Sequence, residues 1–402
     1  MNTAHNGAHL GEALFKLCDR LKIVEKIGHI ASDNATNNDT MIQEFAECYE
    51  KRTGKVFPCK TWHVRCLAHM INLSAQAVIS TRSQTKYYNP HTKDDHMPDV
   101  MANDWDEIGL VRAICVKARS SLQRKEFFDA IQGQHGVKAL KLLLDLMVRW
   151  SSTYIMLHRA ESRRSVMIND FIFELSMREK NLGKRRKIVA LQLSNDEWKR
   201  VTLFLNLLGY ADDVQQAFSA EAAPTLFNAL PAIKKLYAQW EKALGKDKYK
   251  PFAAALEAGM EKVDEYYCKT AASDVHIMAM LISLMTCDLK ALAEKKFSER
   301  YSLLGNTSVH MLALLLPLHE NSSQPGGIRR KPWLMEYNLS LDTVESMSED
   351  MDIVQWWGFN AHRYLVGASL VRDYLAVMAS LVSSERTFSA AGITISKRPN
   401  RL

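Results

Sequence analysis

The apolar positions of this chain recur mostly three and four residues apart, the step that gathers them on one face of a helix. Leu10, Leu14, Leu17 and Leu21 follow that step after a short polar start. Leu67, Met70, Ile71, Leu73, Ala77 and Val78 follow it, as do Ile108, Val111, Ile114, Cys115, Ala118 and Leu122. The same reading predicts helices over residues 37–52, 104–132, 154–177, 196–217, 225–244, 251–267, 274–296 and 361–378. Two short stretches break the period. Residues 28–32 (GHIAS) lean towards β, and residues 62–65 can form a second short strand. The polar run from Asp33 to Asn38 closes the first strand and opens the next helix. Residues 81–103, polar and holding Pro90 and Pro98, read as a loop; residues 306–350, with Pro325-Gly326-Gly327, read as a second long connection. No internal repeat is evident.

Composition narrows this a little. A chain of 402 residues, 47% hydrophobic, can bury one large core or two modest ones. Its formal charge of +7 suits a polyanionic partner without requiring one. Seven irregularly spaced cysteines argue for reduced thiols. No apolar run reaches the roughly 18 residues of a membrane span, and Met1–Leu10 lacks the pattern of a signal peptide. Lys184-Arg185-Arg186-Lys187 reads as a solvated loop, and fits a nuclear-localisation or phosphate-contact segment as well; Arg329-Arg330-Lys331 is a second basic spot.

Several residues invite chemistry. Asp33, at a strand end, suits either a metal ligand or a helix N-cap. His63, Cys66 and His69, with Cys59 nearby, suggest zinc, but structural zinc sites draw on two separated ligand clusters, so zinc is not expected. The pair Arg149-Trp150 suits a phosphate contact beside a stacked base, or a buried indole at a helix start with a surface arginine. Trp356 and Trp357 are adjacent, so on a helix they diverge by about 100°. One can point into a core while the other covers a second surface, such as a partner chain. Residues 382–392 (VSSERTFSAAG) read as a helix with Val382, Phe388 and Ala391 inward and Glu385 among serines.

Residues 352–402, with Trp356-Trp357, Tyr364, the run Leu370–Leu375 and the SERTFSAAG block, resemble the C-terminal dimerisation region of hAT-family transposases. Three further blocks are similar to family motifs. SDNATNN (residues 32–38) resembles the strand carrying the second catalytic aspartate, here Asp33. RCLAHMIN (residues 65–72) resembles the C-x2-H helix beside the catalytic carboxylates, placing Cys66 and His69 near the DNA backbone or the metal. MVRWSST (residues 147–153) resembles the Arg-Trp motif, with Trp150 stacking at a DNA end and Arg149 approaching phosphate. Residues 214–236 look like part of the family's insertion domain, with Pro224 starting a helix; Met285–Lys290 departs from the usual Leu-Asp-Pro turn.

The resemblance implies a mostly α fold with a small residual α/β ribonuclease-H-like core of two or three short parallel strands and a large helical insertion domain. It divides the chain into a partial core (residues 1–81), the helical insertion (82–350) and a dimerisation region that completes the core (351–402). Family chemistry is DNA cleavage and strand transfer by two Mg²⁺ ions held on two aspartates and a glutamate. Asp33 and Glu385 match the second and third. The first three strands, the first aspartate and the zinc-finger DNA-binding domain are expected to be absent. The leading expectation is therefore a transposase-derived nuclear protein without catalysis or a functional metal. It self-associates through Trp356, Trp357, Tyr364, Leu375 and Phe388, retains possible DNA contact through Arg149, Trp150, Cys66 and His69, and has no membrane partner. One alternative is an active metal-dependent transposase or nuclease, completed by another chain or by a substitute carboxylate such as Asp19. The other is an unrelated helical scaffold, in which Asp33, His69, Arg149 and Glu385 lie scattered.

Overall fold

The computed structural model describes residues 6–85, 87, 106–146, 150–163, 166–218, 225–270, 273–276, 278–279, 294–303, 336, 338, 351, 353–375, 377–379 and 381. Arg149, Pro224, Met285–Lys290, Arg329–Lys331, Glu385, Phe388 and the whole 382–392 segment lie outside them, as does most of each long connection. The described chain is mostly helical, with one two-stranded parallel sheet, as the sequence leads one to expect. No helix among the described residues is long and apolar enough to cross a membrane. Two compact units are present.

Unit 1 holds residues 1–69, 217–232 and 267–402. It begins with α1 (Gly7–Arg20), capped by the Asn6 side chain accepting from Ala8 N. After a 3₁₀ turn come β1 (Ile30–Ser32), α2 (Thr36–Thr53), the short α3 (Cys59–Trp62) and β2 (His63–Arg65). The strands run parallel, Ile30 opposite His63 and Ser32 opposite Arg65, with α2 in the crossover as a parallel pair demands. The core of this layer is Cys18, Val24, Ile42, Phe45, Tyr49 and Phe57. Its rings pack edge to face: Phe45 on Phe57 at 5.2 Å and Phe57 on Trp62 at 5.1 Å between centroids.

The leucine stripe of α1 is not its buried face. Leu10, Leu17 and Leu21 are exposed. The face against α2 is instead Gly7, Gly11, Leu14, Phe15 and Cys18, one and two turns apart. A Cβ on Gly7 would sit 2.3 Å from the Asn37 carbonyl oxygen, and one on Gly11 would sit 2.4 Å from that of Met41. Glycine lets the two backbones approach closely, and a hydrophobic pattern cannot register it.

Unit 2 holds residues 70–216 and 233–266. Its helices are the later turns of α4 (Leu67–Arg82), then α5 (Glu107–Arg119), α6 (Leu122–Gln134), α7 (Trp150–Glu161), α8 (Val166–Arg178), α9 (Leu182–Val189), α10 (Asn195–Phe218) and parts of α11 (Ala229–Leu244) and α12 (Ala253–Thr270). The predicted helix over 104–132 is two helices, because the Ser121 hydroxyl accepts from Arg124 N and caps a new start. The 154–177 helix likewise divides into α7 and α8. The basic run Lys184–Lys187 is not a loop; it lies in α9, started by the Asn181 side chain accepting from Lys184 N at 3.0 Å.

Buried charges in this unit are paired. Arg112 donates to Asp145 at 2.6 Å, and Asp145 also accepts from the Thr153 hydroxyl. Glu107, fully buried, accepts from Arg82 at 2.7 Å with Arg200 at 3.7 Å. Such pairs repay desolvation only when every partner is satisfied, so they fix how helices join more than they add stability.

Helix propensity alone favours Ala over Gly by about 1 kcal/mol, whereas forcing a methyl against a backbone oxygen costs roughly 1–3 kcal/mol. Gly11→Ala is therefore expected to lower the unfolding midpoint. Gly28→Ala, where no atom lies within 4 Å of the added carbon, is expected to leave it unchanged. Thermal melts followed by circular dichroism check the pair.

Candidate functional site

Both strands end at the same edge of the sheet, where open α/β folds place ligands. Asp33 leaves β1 directly into this edge. Its Oδ1 accepts from Ala35 N at 2.9 Å and from the Asn38 side-chain amide. This is an Asx turn one step ahead of α2; the N-cap itself is Ala35, with no side-chain cap bond. Asn34 Nδ2 donates to the Cys66 carbonyl at 3.4 Å, and Cys66 N donates to Ser32 O at 2.8 Å. Asp33 and Cys66 are thus brought to one place, with half-buried His69 a turn further along α4.

Beneath them lies a polar relay. The Ser32 hydroxyl bonds His63 Nε2 at 2.7 Å, and His63 Nδ1 faces Asp39 at 3.6 Å. Asp39 accepts from Arg65 at 2.7 Å. Burial, aided by Arg65 and opposed by Asp39, holds the His63 imidazole below its ordinary value.

The C-terminal segment reaches the same edge. Leu67 N donates to Ala379 O at 3.0 Å, Ala379 N donates to the Thr225 hydroxyl at 3.2 Å, and Leu381 N donates to Cys66 Sγ at 3.4 Å. Cys66 is 2% exposed, its thiol turned towards this segment. Glu385, the residue matched to the third carboxylate, lies outside the described residues.

Trp150 belongs to unit 2. Its ring is 1% exposed, and its indole N–H donates to Gln215 Oε1 at 2.8 Å. That is the buried indole at a helix start that its residue type also allows. Arg149 lies outside the described residues.

In the C-terminal region, α13 (Ile353–Asn360) carries both tryptophans and α14 (Leu365–Tyr374) follows. Trp356 and Trp357 are both buried, at 7% and 4% exposure, so neither is left over for a second surface. They meet edge to face at 5.0 Å, and both pack on Tyr364. Room for the second ring comes from Gly367, where a Cβ would lie 2.9 Å from the Trp357 ring. Leu375 is buried too. The outward large apolar side chains of α13 are Val354 and Phe359, the latter 70% exposed. Sequence reasoning also passed over Glu336. Its buried carboxylate accepts from Val366 N and Gly367 N and so caps α14; no spacing signal marks it.

A cleft of about 790 Å³ flanks β1, lined by His29, Trp62, Lys296, Arg300, Asp373 and Tyr374 among others. Two of its cations are answered locally: Lys296 by Asp274 at 3.3 Å, Arg300 by Asp373. Burial lowers the His29 pKa, with Asp373 opposing, and it lowers that of His276 to about 4. Among the described residues no three His, Cys, Asp or Glu side chains converge as a metal set. Asp33 offers the hard oxygen that Mg²⁺ prefers, but one of its oxygens is engaged in the turn, and one carboxylate does not make a two-ion site.

Two family descriptions match this chain: the ZBED1 RNase-like helical domain over residues 64–207 and the hAT family C-terminal dimerisation region over residues 333–402. A "Putative AC transposase" of Zea mays is 24% identical, the alignment covering 99% of this chain and 49% of that protein. The zinc finger BED domain-containing protein RICESLEEPER 1 of Oryza sativa subsp. japonica is 22% identical over 98% of this chain and 55% of its own length. By these matches the chain is similar to hAT-family transposases and BED-finger proteins, and its residues 333–402 match the family's C-terminal dimerisation region. It spans about half the length of these curated relatives.

The histidines of unit 1 predict acid sensitivity. Below its ordinary value of 6.5, an unfolded His276 takes up a proton that the folded residue refuses until about pH 4. The unfolded state then binds more protons, so this contribution is complete above pH 6.5 and lost as pH falls towards 4. The loss approaches ~3 kcal/mol at 1.36 kcal/mol per pH unit. His276→Gln is expected to flatten the decline of denaturant midpoints between pH 7 and pH 4.5; an unchanged decline would assign it elsewhere.

Proposed function

We propose that this chain works by self-association and DNA contact as the core-and-dimerisation part of a hAT-type protein, and does not cut DNA alone. The three-part division belongs to this reading: a partial core (residues 1–81), a helical insertion (82–350) and the dimerisation region (351–402). The observation that carries it is the bond from Leu381 N to Cys66 Sγ, together with Leu67 N to Ala379 O. Through these bonds the segment matched to the dimerisation region belongs to the same unit as the strands bearing Asp33. Exposed Phe359 and Val354 give that region apolar surface for a second copy. Asp33 remains as one carboxylate, tied into its turn. A nuclear location follows from a DNA partner.

The same bond favours a second reading, an active Mg²⁺-dependent nuclease completed by a further segment or chain. Glu385 is four residues beyond Leu381, and four extended residues span at most about 14 Å. On this reading Glu385 and Asp33 act together, and another segment or chain supplies the further carboxylate that a two-ion site needs.

Two measurements test these readings. Light scattering on the whole chain is expected to give a dimer, and Phe359→Glu to weaken it at least about tenfold, the effect of losing roughly 1.4 kcal/mol of apolar contact. A monomer at every concentration would overturn self-association. A nicking assay on supercoiled DNA with Mg²⁺ or Mn²⁺ is expected to show no cleavage. Cleavage that Asp33→Ala abolishes would replace the first reading by the second.

A further inference from the structure

Among the described residues of unit 2, a helical hairpin carries a dense cluster of cations. Helix α8 buries Met167, Ile168, Phe171, Ile172 and Leu175, and α9 with its following turn is anchored by Ile188 and Leu191. Between these anchors, residues 178–187 carry six cations (Arg178, Lys180, Lys184, Arg185, Arg186 and Lys187) against one carboxylate, Glu179.

Two of the six are spoken for. Arg178 lies over the Phe127 ring at 3.6 Å, and Arg185 donates to the Met177 sulfur. Glu179 is occupied as well, accepting from Asn181 N at 3.0 Å. Lys180, Lys184, Arg186 and Lys187 are exposed, with no ion pair recorded among the described residues.

This arrangement works against the helix that carries it. Lys184 sits in the first turn of α9, at the end where the helix dipole repels a cation. Lys184 and Lys187 are three apart and repel one another. Packing inside unit 2 gains nothing from these charges, since they point to solvent. Arg186 and Lys187 lie in the last turn, where the dipole favours a cation, and a polyanion alongside would outweigh the unfavourable terms at Lys184. A helix of eight residues is about 12 Å long at 1.5 Å per residue, the rise of roughly three to four phosphates along one strand of a duplex.

We propose that the outward face of the α8–α9 hairpin contacts the phosphate backbone of duplex DNA through Lys180, Lys184, Arg186 and Lys187. The inference rests on the DNA-contact reading above and deepens it by assigning the surface. Held from within by Asn181, Arg185 and Arg178, the hairpin offers its charges on a fixed frame. Contact of this kind follows charge and carries no sequence preference.

The test is fluorescence anisotropy of the whole chain with a duplex of arbitrary sequence, titrated from 50 to 250 mM KCl. Each phosphate contact contributes about 0.9 to the slope of log K against log salt. The triple variant Lys184→Gln, Arg186→Gln, Lys187→Gln is expected to bind more weakly and to lose roughly two to three from that slope. Its melting temperature and dimer mass should match the parent, because all three side chains are exposed. An unchanged slope in the variant, with the parent still binding, would overturn this surface and leave the DNA reading standing. A parent that fails to bind any duplex would overturn both. A polyglutamate peptide that displaces DNA at a lower charge concentration would make the surface one for acidic protein, and so overturn it too.

Discussion

The structure depends on a knot of main-chain hydrogen bonds at the junction of β2 and α4. Cys66 N bonds back to Ser32, which closes the two-stranded sheet at the end that bears Asp33. The next amide, Leu67 N, reaches across to Ala379, and Leu381 N returns to the Cys66 sulfur. Ala379 is held in turn by Thr225, while Thr61 O accepts from Ser273. Residues more than three hundred positions apart share one short stretch of backbone. A sheet of two three-residue strands is too small to be stable by its own pairing. It persists because helices from the start of the chain and a segment from its end close over it.

The same constraint explains the C-terminal region. Trp356, Trp357 and Tyr364 form one aromatic block, and Gly367 admits the second indole. Glu336 caps the helix that follows with a buried carboxylate. Burial raises its pKa while the two backbone N–H groups draw it back, so the cap is strongest where the group is ionised. Large aromatics serve here as the body of the region, and its outer surface is left to smaller numbers of exposed residues such as Phe359. A region built this way can present a fixed face to a second copy, at a distance from Asp33 set by the knot.

Much of this was legible in the sequence, and the failures share a cause. Strong periodicity located most helices to within a few residues, and the β-leaning GHIAS and WHVR stretches gave the two strands. The polar cluster after Ser32 correctly marked a strand end and a helix start. Periodicity names a face, however, without saying which partner meets it. On α1 the leucines suggested one face and the glycines took the other, because close backbone approach leaves no hydrophobic trace. At Trp356-Trp357 the 100° divergence of adjacent helical residues holds, yet a chain that folds back through Tyr364 encloses both rings. Trp150 carried two readings that its residue type could not separate; the indole is buried here, bonded to Gln215, a neighbour 65 positions away. Glu336 and His276 have meaning only through partners remote in sequence. Arg149, Glu385 and Phe388 fall outside the described residues.

The central claim is that the sheet edge bearing Asp33 and the segment ending at Leu381 are one cooperative body. Native-state hydrogen exchange read by mass spectrometry tests it most directly. Peptides covering residues 30–32, 63–67 and 365–381 are predicted to lose protection together, with the same dependence on denaturant. Loss of protection over 365–381 while the two strands stay protected would contradict the account.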